Sequence, residues 1–155
     1  MAGSELLGLL RERDSLVIGV VDDDGVPFAS RAWGVTASAS DPSMLRVVID
    51  AADPERFGGF APGARFAITG ADPLTLQSAQ VKGRIVSIEH TGPEDLAVST
   101  AHRRAFFAAI READGTERHM AERMVPEALA VCTVTVEECF DQTPGPGAGA
   151  SVDAT

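Results

Sequence analysis

In the stretch Ser30-Arg31-Ala32-Trp33-Gly34-Val35, a guanidinium and the only tryptophan of the chain stand two residues apart. On an extended strand that spacing puts both side chains on one face. A planar ring beside a planar cation suits a phosphate-bearing heterocycle, because the guanidinium offers a rigid fork of donors to an oxyanion. The plainer alternative makes Trp33 a core or interface anchor and Arg31 a rim charge, and spacing alone favours it. Arg56 is a second candidate cation. It follows Asp53-Pro54-Glu55, which reads as a helix start with Asp as cap and Pro in the first turn. Free backbone N–H groups and Arg56 could grip a phosphate there, although Asp50, Asp53 and Glu55 crowd the same place and would repel it. Ser78, Gln80 and Lys82 alternate along one run and so share a face. That face suits hydrogen bonds to a heterocycle, or equally a solvent-facing edge.

Other signatures are missing. There is no Gly-x-Ser-x-Gly elbow and no Gly-Lys-Ser/Thr phosphate loop. Gly145, Gly147 and Gly149 have the wrong spacing for a dinucleotide fingerprint. Of the three histidines, only His119 with Glu122 approaches a ligand spacing, and a solvated helix face explains it better than a metal. His102-Arg103-Arg104 reads as a solvated helix face as well, or as one near a partner chain.

The totals narrow the class. A chain of 155 residues, 45% hydrophobic, is one domain by length and can fill a core without disulfides. Its net charge of −10 argues against a nucleic-acid partner, which needs a basic face. No apolar run approaches the roughly 18 residues of a membrane span, and MAGSELLGLLRERDS lacks a secretory pattern. Cys132 and Cys139 lie seven apart, on opposite faces of a regular strand, so both are expected as reduced thiols in a cytoplasmic protein.

The elements that must position these residues follow from period and punctuation. Residues 4–13 suit a short helix capped by Ser4. Ser15–Asp22 and Val26–Val35, joined by an acidic turn ending in Gly25, read as a hairpin. The first of these runs is apolar on both faces, so it is expected to be central or covered on both sides. Met44–Asp50 is a third strand, a brief helix begins at Asp53, and Ala64–Gly70 is a fourth strand with Phe66 and Ile68 inward. In the long run Leu76–Glu89 the apolar parity changes between Val81 and Val86, and a bulge at Gly83 would restore one inner face. A helix begins at Thr91-Gly-Pro-Glu94 as a capping box, carries Phe106, Phe107 and Ile110, and ends at Asp114-Gly115. A second short helix covers about 117–125, and a last strand 129–140. Strands joined by short turns, without βαβ alternation, make this an α+β chain with a small antiparallel barrel of six or so strands.

VPFASRAWGV, LRVVIDAADPERF and AQVKGRIVSIE together resemble the FMN-binding split-barrel proteins related to pyridoxamine 5′-phosphate oxidase. The closing FDQTPGPGAG is similar to the end of one branch of them. The likeness covers roughly residues 15–90 and 129–149, with 91–128 as a branch-specific helical insert. The resemblance implies a homodimer with two FMN sites at the subunit interface. Carried over position by position, Arg31 and Arg56 would hold the phosphate, backbone at Ile49 and Asp50 would face the ring, Ser78 or Gln80 would reach it, and Trp33 would lie near the ring or the dimer seam. The chain departs from the family in offering one cation among acids at 53–56 and in lacking an Arg-Leu-x-Pro ending, which argues against vitamin B6 oxidation.

Two functions remain open. In one, FMN takes hydride from a reduced nicotinamide and passes electrons to a small-molecule substrate. In the other, a dimeric module holds flavin weakly or binds another planar ligand, and the acidic 50–55 segment favours it. The tail 141–155 is expected to be an extended arm stiffened by Pro144 and Pro146, lying across the neighbour or over the cofactor cleft, the alternative being a disordered tail. Phe140 should end the last strand on the Val134/Val136 face.

Overall fold

The computed structural model describes residues 8–152. Six strands close into an antiparallel barrel: β1 (Ser15–Val21), β2 (Pro27–Ala37), β3 (Met44–Asp50), β4 (Arg65–Ala71), β5 (Ser78–His90) and β6 (Leu129–Asp141). Around the barrel they run β1-β2-β3-β6-β5-β4. Three helices that lie wholly within the described residues flank it: α1 (Asp53–Arg56), α2 (Pro93–Asp114) and α3 (Arg118–Glu122). Of the helix expected over residues 4–13, residues 4–7, with the cap at Ser4, lie outside the described residues; helix is present at 8–9, and the chain bends and turns from 10 to 13, so it ends earlier than expected.

Alternation builds the interior. Leu16, Ile18 and Val20 of β1 face Phe66 and Ile68 of β4, Leu45, Val47 and Ile49 of β3, and Val81 and Ile85 of β5. The acidic turn between β1 and β2 closes as expected: Asp22 Oδ1 accepts the N–H groups of Asp24 and Val26, and Gly25 takes φ 80°. β1 is central, with β2 and β4 on its two edges, which is one of the two outcomes its sequence allowed; its outer face is not covered among the described residues. Val17 and Val21 remain 42% and 39% exposed.

The bulges differ from the expected one. Inner parity on β5 runs unbroken through Ala79, Val81, Gly83 and Ile85. The extra residue on β5 is Val86, between the Ile85–Val134 and Ser87–Thr133 pairs. The shift at Gly83 belongs to the partner strand, where Glu137 is extra between the Lys82–Glu138 and Gly83–Val136 pairs. Gly83 is needed for another reason. A Cβ there would stand 1.7 Å from the carbonyl oxygen of Thr135, so only a bare Cα lets β6 approach.

The bulge at Glu137 also reverses parity along β6. Cys132 and Cys139 therefore share the interior, not opposite faces; both are buried free thiols. Phe140 for the same reason leaves the Val134/Val136 face and lies outside, under the Lys82 ammonium 4.8 Å from its ring centroid.

The outer side of β2, β3 and β6 at Trp33, Val48 and Val131 is roofed by α2. It starts at Pro93, with the Asp95 carboxylate accepting the Gly92 N–H at 2.8 Å, one residue later than the expected box, and stops at Gly115 with φ 79°. Phe106 and Phe107 pack on Trp33, Val48 and Val131. Each such large side chain contributes about 2 kcal/mol by leaving water. The close seat depends on Gly34, at φ 148°, where a Cβ would meet Val98 and Ser99 of α2 at 3.1 and 3.3 Å.

The C-terminal segment is not an extended arm. After Asp141 it turns through 145–149 and comes back beside its own strand. Asp141 N–H donates to Ala150 O, Gly149 N–H to Asp141 O and Val152 N–H to Cys139 O. Phe140 and Ser151 form an antiparallel bridge, and Val152 rests on the core. The glycines and prolines shape a reverse turn that caps β6 in its own molecule. One end of the barrel is closed by Leu10 and a charge cluster in which the buried Asp72 accepts from Arg13 at 2.6 and 3.1 Å.

Candidate functional site

The side of the barrel that α2 leaves bare carries its residues in rows fixed by strand register. Arg31, Val17, Thr69, Gln80 and Phe140 are successive partners from β2 across β1, β4 and β5 to β6. The next row is Ala29, Gly19, Ala67 and Lys82. Beyond it stand Val21 paired with Pro27, and Arg65 paired with Arg84. A row of glycine and alanine between two rows of larger residues is a trough that crosses the strands. Its small-residue floor, Ala29, Gly19 and Ala67, spans β2 to β4, two strand spacings or about 10 Å. It opens into a cleft of about 770 Å³ whose lining includes Gly19, Val21, Ala29, Arg65, Ala67 and Lys82. That volume is within the usual range for a small-molecule site.

Arg31 stands at the edge of the trough where the α2 roof begins. Its Nη1 donates to Ser15 Oγ at 3.2 Å, and its guanidinium lies 5.4 Å from the Phe106 ring centroid. Burial lowers its pKa below the ordinary arginine value. Among the described residues it has no carboxylate partner. A half-buried guanidinium with a hydroxyl and a ring for company keeps donors to spare for an anion. Phe106 is held in turn by His102, stacked at 5.7 Å, whose Nδ1–H donates to Glu12 O at 2.8 Å. Burial pushes the His102 pKa down to about 4, so the ring is neutral near pH 7.

The residues read from the sequence divide. Gln80 joins Arg31 in one row, with its Nε2 donating to Thr69 Oγ1 at 2.9 Å. Ser78 is one row further out, its N–H donating to Thr143 Oγ1 of the returning tail and its hydroxyl to Leu76 O. Ile49 is wholly buried, so only its backbone could meet a ligand. The Ala32–Ile49 pair brings Asp50 alongside Arg31 in register. Trp33 does not reach the trough: at 2% exposure it is the floor under α2, as the packing reading had it.

The anion site imagined at Arg56 is not formed. Asp53 does not cap α1; the cap position is Ala52, whose N–H donates to Asp50 Oδ1 at 2.9 Å. Asp50 Oδ2 also takes Arg56 at 3.3 Å, and Arg56 is 61% exposed. Asp53 is buried, with Oδ2 unpartnered and its pKa raised by burial. One carboxylate already fills the place of the phosphate and another lies beneath it. The sequence reading missed Gly19, Ala29 and Ala67. Their signal was present, since small residues sat at outward positions of three strands where a water-facing sheet carries polar ones.

Among the described residues no three or more His, Cys, Asp or Glu gather as metal ligands, and no helix is long and apolar enough to cross a membrane. No protein-family model matches the sequence, and no curated protein does either. Solved structures do match. HupZ of Group A Streptococcus aligns at 18% identity and TM-score 0.53 over 96% of this chain and all of its own. An F420 reductase aligns at 18% identity and TM-score 0.52 over 86% of this chain and 94% of its own. A pyridoxamine 5′-phosphate oxidase-related, FMN-binding protein of Nostoc punctiforme aligns more weakly, at 14% identity and TM-score 0.46, over 93% and 83%. At such identities the likeness is one of fold, and at that level the split-barrel resemblance holds.

Proposed function

We propose that this chain is an FMN-binding flavoprotein that works as a cytoplasmic homodimer and serves as an oxidoreductase on a small molecule. The observation that carries this reading is the trough: a small-residue floor about 10 Å across, with a half-buried Arg31 at one edge that has no ion-pair partner among the described residues. The residues present fit the group. Ala29, Gly19 and Ala67 would lie beneath the ring, Arg31 with Ser15 would hold the phosphate, and Thr69 and Gln80 would donate to ring oxygens. Arg56 has no part in it. Bound flavin supplies hydride and electron transfer. The protein's share is to orient it, exclude water and hold the phosphate charge.

A barrel surface is convex, so one copy cannot enclose a flat ligand. Val17 and Val21, on the two shoulders of the trough, are exposed apolar groups that a second copy would cover. Two unpaired thiols accord with a reducing compartment. The reading that the chain binds without catalysing is favoured by one observation: Asp50 and Asp53 remove Arg56 from the anion site and leave a single anchoring cation.

The test is Gly19→Val. A Cβ at Gly19 meets only Phe28 O, at 3.8 Å, so the variant folds while its side chain stands in the trough. Wild-type protein incubated with FMN and desalted should be yellow, with absorbance near ~450 nm, and Gly19→Val colourless. Equal colour in both would place the flavin elsewhere. Colour without turnover of reduced nicotinamide would favour the binding module.

A further inference from the structure

On α2, Thr100, Arg103, Arg104 and Phe107 follow the spacing i, i+3, i+4, i+7 and so form one helix face. That face borders a cavity of about 170 Å³, whose other wall is Arg118 and Glu122 of α3 with Val125 beyond them. A stripe turned to a neighbouring helix is ordinarily apolar along its length. Here only Phe107 and Val125 are apolar, and three guanidinium groups share the lining with them. His102-Arg103-Arg104 is therefore not one solvated face: His102 is buried, with its Nδ1–H donating to Glu12 O, and the two arginines border the cavity.

The charges of the lining do not cancel. Its one acid, Glu122, accepts from Arg118 Nε at 2.7 Å. Arg103 and Arg104 have no carboxylate partner among the described residues, in a chain with 23 acids to 13 bases. Arg103 reaches only Ser99 O at 3.4 Å and Thr100 Oγ1 at 3.5 Å on its own helix, longer than ordinary hydrogen bonds. Two neighbouring cations without a counter-ion repel each other, and an anion between them removes the repulsion and takes up their donors. Two free charges match a dianion, whereas a single carboxylate would neutralise only one. The cavity is smaller than the roughly 300–1,000 Å³ of a whole small-molecule site, so it admits a head group and not a ring system such as a flavin.

We propose that this cleft binds a phosphate group, free or at the head of a phosphomonoester, between Arg103 and Arg104, with the remaining donors of Arg118 facing it from α3. The site is separate from the trough and does not rest on the flavin reading.

Inorganic phosphate, phenyl phosphate and acetate, titrated into the full chain near pH 8 at constant ionic strength, test it; both phosphates are dianions there. Amide shifts of residues 100–107 and 118–125 are followed by NMR, which reads this cleft apart from Arg31. Both phosphates should bind about tenfold or more tighter than acetate, the worth of one further charge-assisted contact. Equal binding of the two assigns the free ion as ligand; tighter phenyl phosphate assigns a monoester whose apolar part lies on Phe107 or Val125. Arg103→Ala with Arg104→Ala should abolish the preference, and Arg103→Lys with Arg104→Lys should keep it, while the spectra of both variants show whether they fold. No phosphate binding, shifts centred elsewhere, or a preference surviving the double alanine variant would overturn the proposal. Acetate bound as tightly as phosphate would overturn it as well and give the cleft to an acidic side chain of a protein partner. Phosphate binding here without FMN binding in the trough would remove the flavin reading and leave this one standing; FMN binding without phosphate binding here would do the reverse.

Discussion

The guanidinium of Arg31 lies over the ring of Phe106, 5.4 Å from its centroid, and so ties strand β2 to helix α2 at the margin of the open trough. Phe106 rests on His102, which is fixed to the backbone of Glu12. The insert thereby does two things. It buries the Trp33 side of the barrel, and it aims the one cation that the proposed phosphate needs.

That column makes Phe106 a positioning residue for Arg31. Phe106→Leu keeps an apolar core residue but removes the π face. FMN affinity should fall by about 0.5–1 kcal/mol, the size of a cation–π contact, while riboflavin, which lacks the phosphate, binds as before. Parallel titrations of the two flavins check it. Equal losses for both would show a general packing defect.

His102 gives the fold a pH dependence of known sign. Its folded pKa of about 4 is below the unfolded value of 6.5, because burial disfavours the charged ring. The unfolded chain therefore binds the proton first. Stability is complete above pH 6.5 and declines as pH falls towards 4, by up to about 3 kcal/mol. Urea unfolding of wild type and His102→Gln at pH 7 and 4.5 checks this. The wild type should lose stability between the two, and the variant clearly less.

Asp72 acts lower on the scale. Burial by itself would raise its pKa, but the Leu74 N–H and Arg13 outweigh that and hold it at about 2. Its contribution is present above about pH 4 and is lost as pH falls towards 2. Allowing for solvent around the exposed arginines, it is on the order of 1 kcal/mol. Asp72→Asn should be less stable at pH 7 and flatter between pH 4 and 2 in acid titrations followed by circular dichroism.

Gly83→Ala puts a methyl group into the carbonyl oxygen of Thr135. No side chain can yield there, since both partners are backbone. A loss of about 3 kcal/mol is expected in chemical denaturation. A neutral result would mean that β6 does not cross β5 as closely as described.

Cys132 is wholly buried, and burial raises its pKa to about 12. Its thiol should resist an aromatic disulfide reagent in the native protein and react only on unfolding. Rapid native labelling of this residue would contradict the placement of β6.

Much of the barrel was legible because alternation is a local signal. Phe66 and Ile68 of β4 point inward as their period requires, and Asp22 with Gly25 closes the first turn. The bulge was legible only in part. Val81 and Val86 showed that parity changes, and Gly83 drew attention as the flexible residue, but the extra residues are Val86 and Glu137. Which strand of a pair carries the insertion depends on its partner, and a single strand cannot show it. The same hidden step reversed Cys139 and Phe140. The tail was misread because Pro and Gly suit an extended arm and a reverse turn alike; the hydrogen bonds to Asp141 and Cys139 decide between them. At the site, charge was easier to read than its absence. Arg31 and Arg56 were visible as cations, but the carboxylate that occupies Arg56 and the empty row of Gly19, Ala29 and Ala67 emerge only from register.

The account stands on Arg31 holding the phosphate of a flavin laid in that row. The direct measurement is quenching of FMN fluorescence by wild-type protein and by Arg31→Ala, each repeated with riboflavin. Saturable FMN binding weakened by about 1.5–3 kcal/mol in the variant, with riboflavin unaffected, is the expected result. No quenching by the wild type, or equal FMN affinity in both proteins, would contradict it.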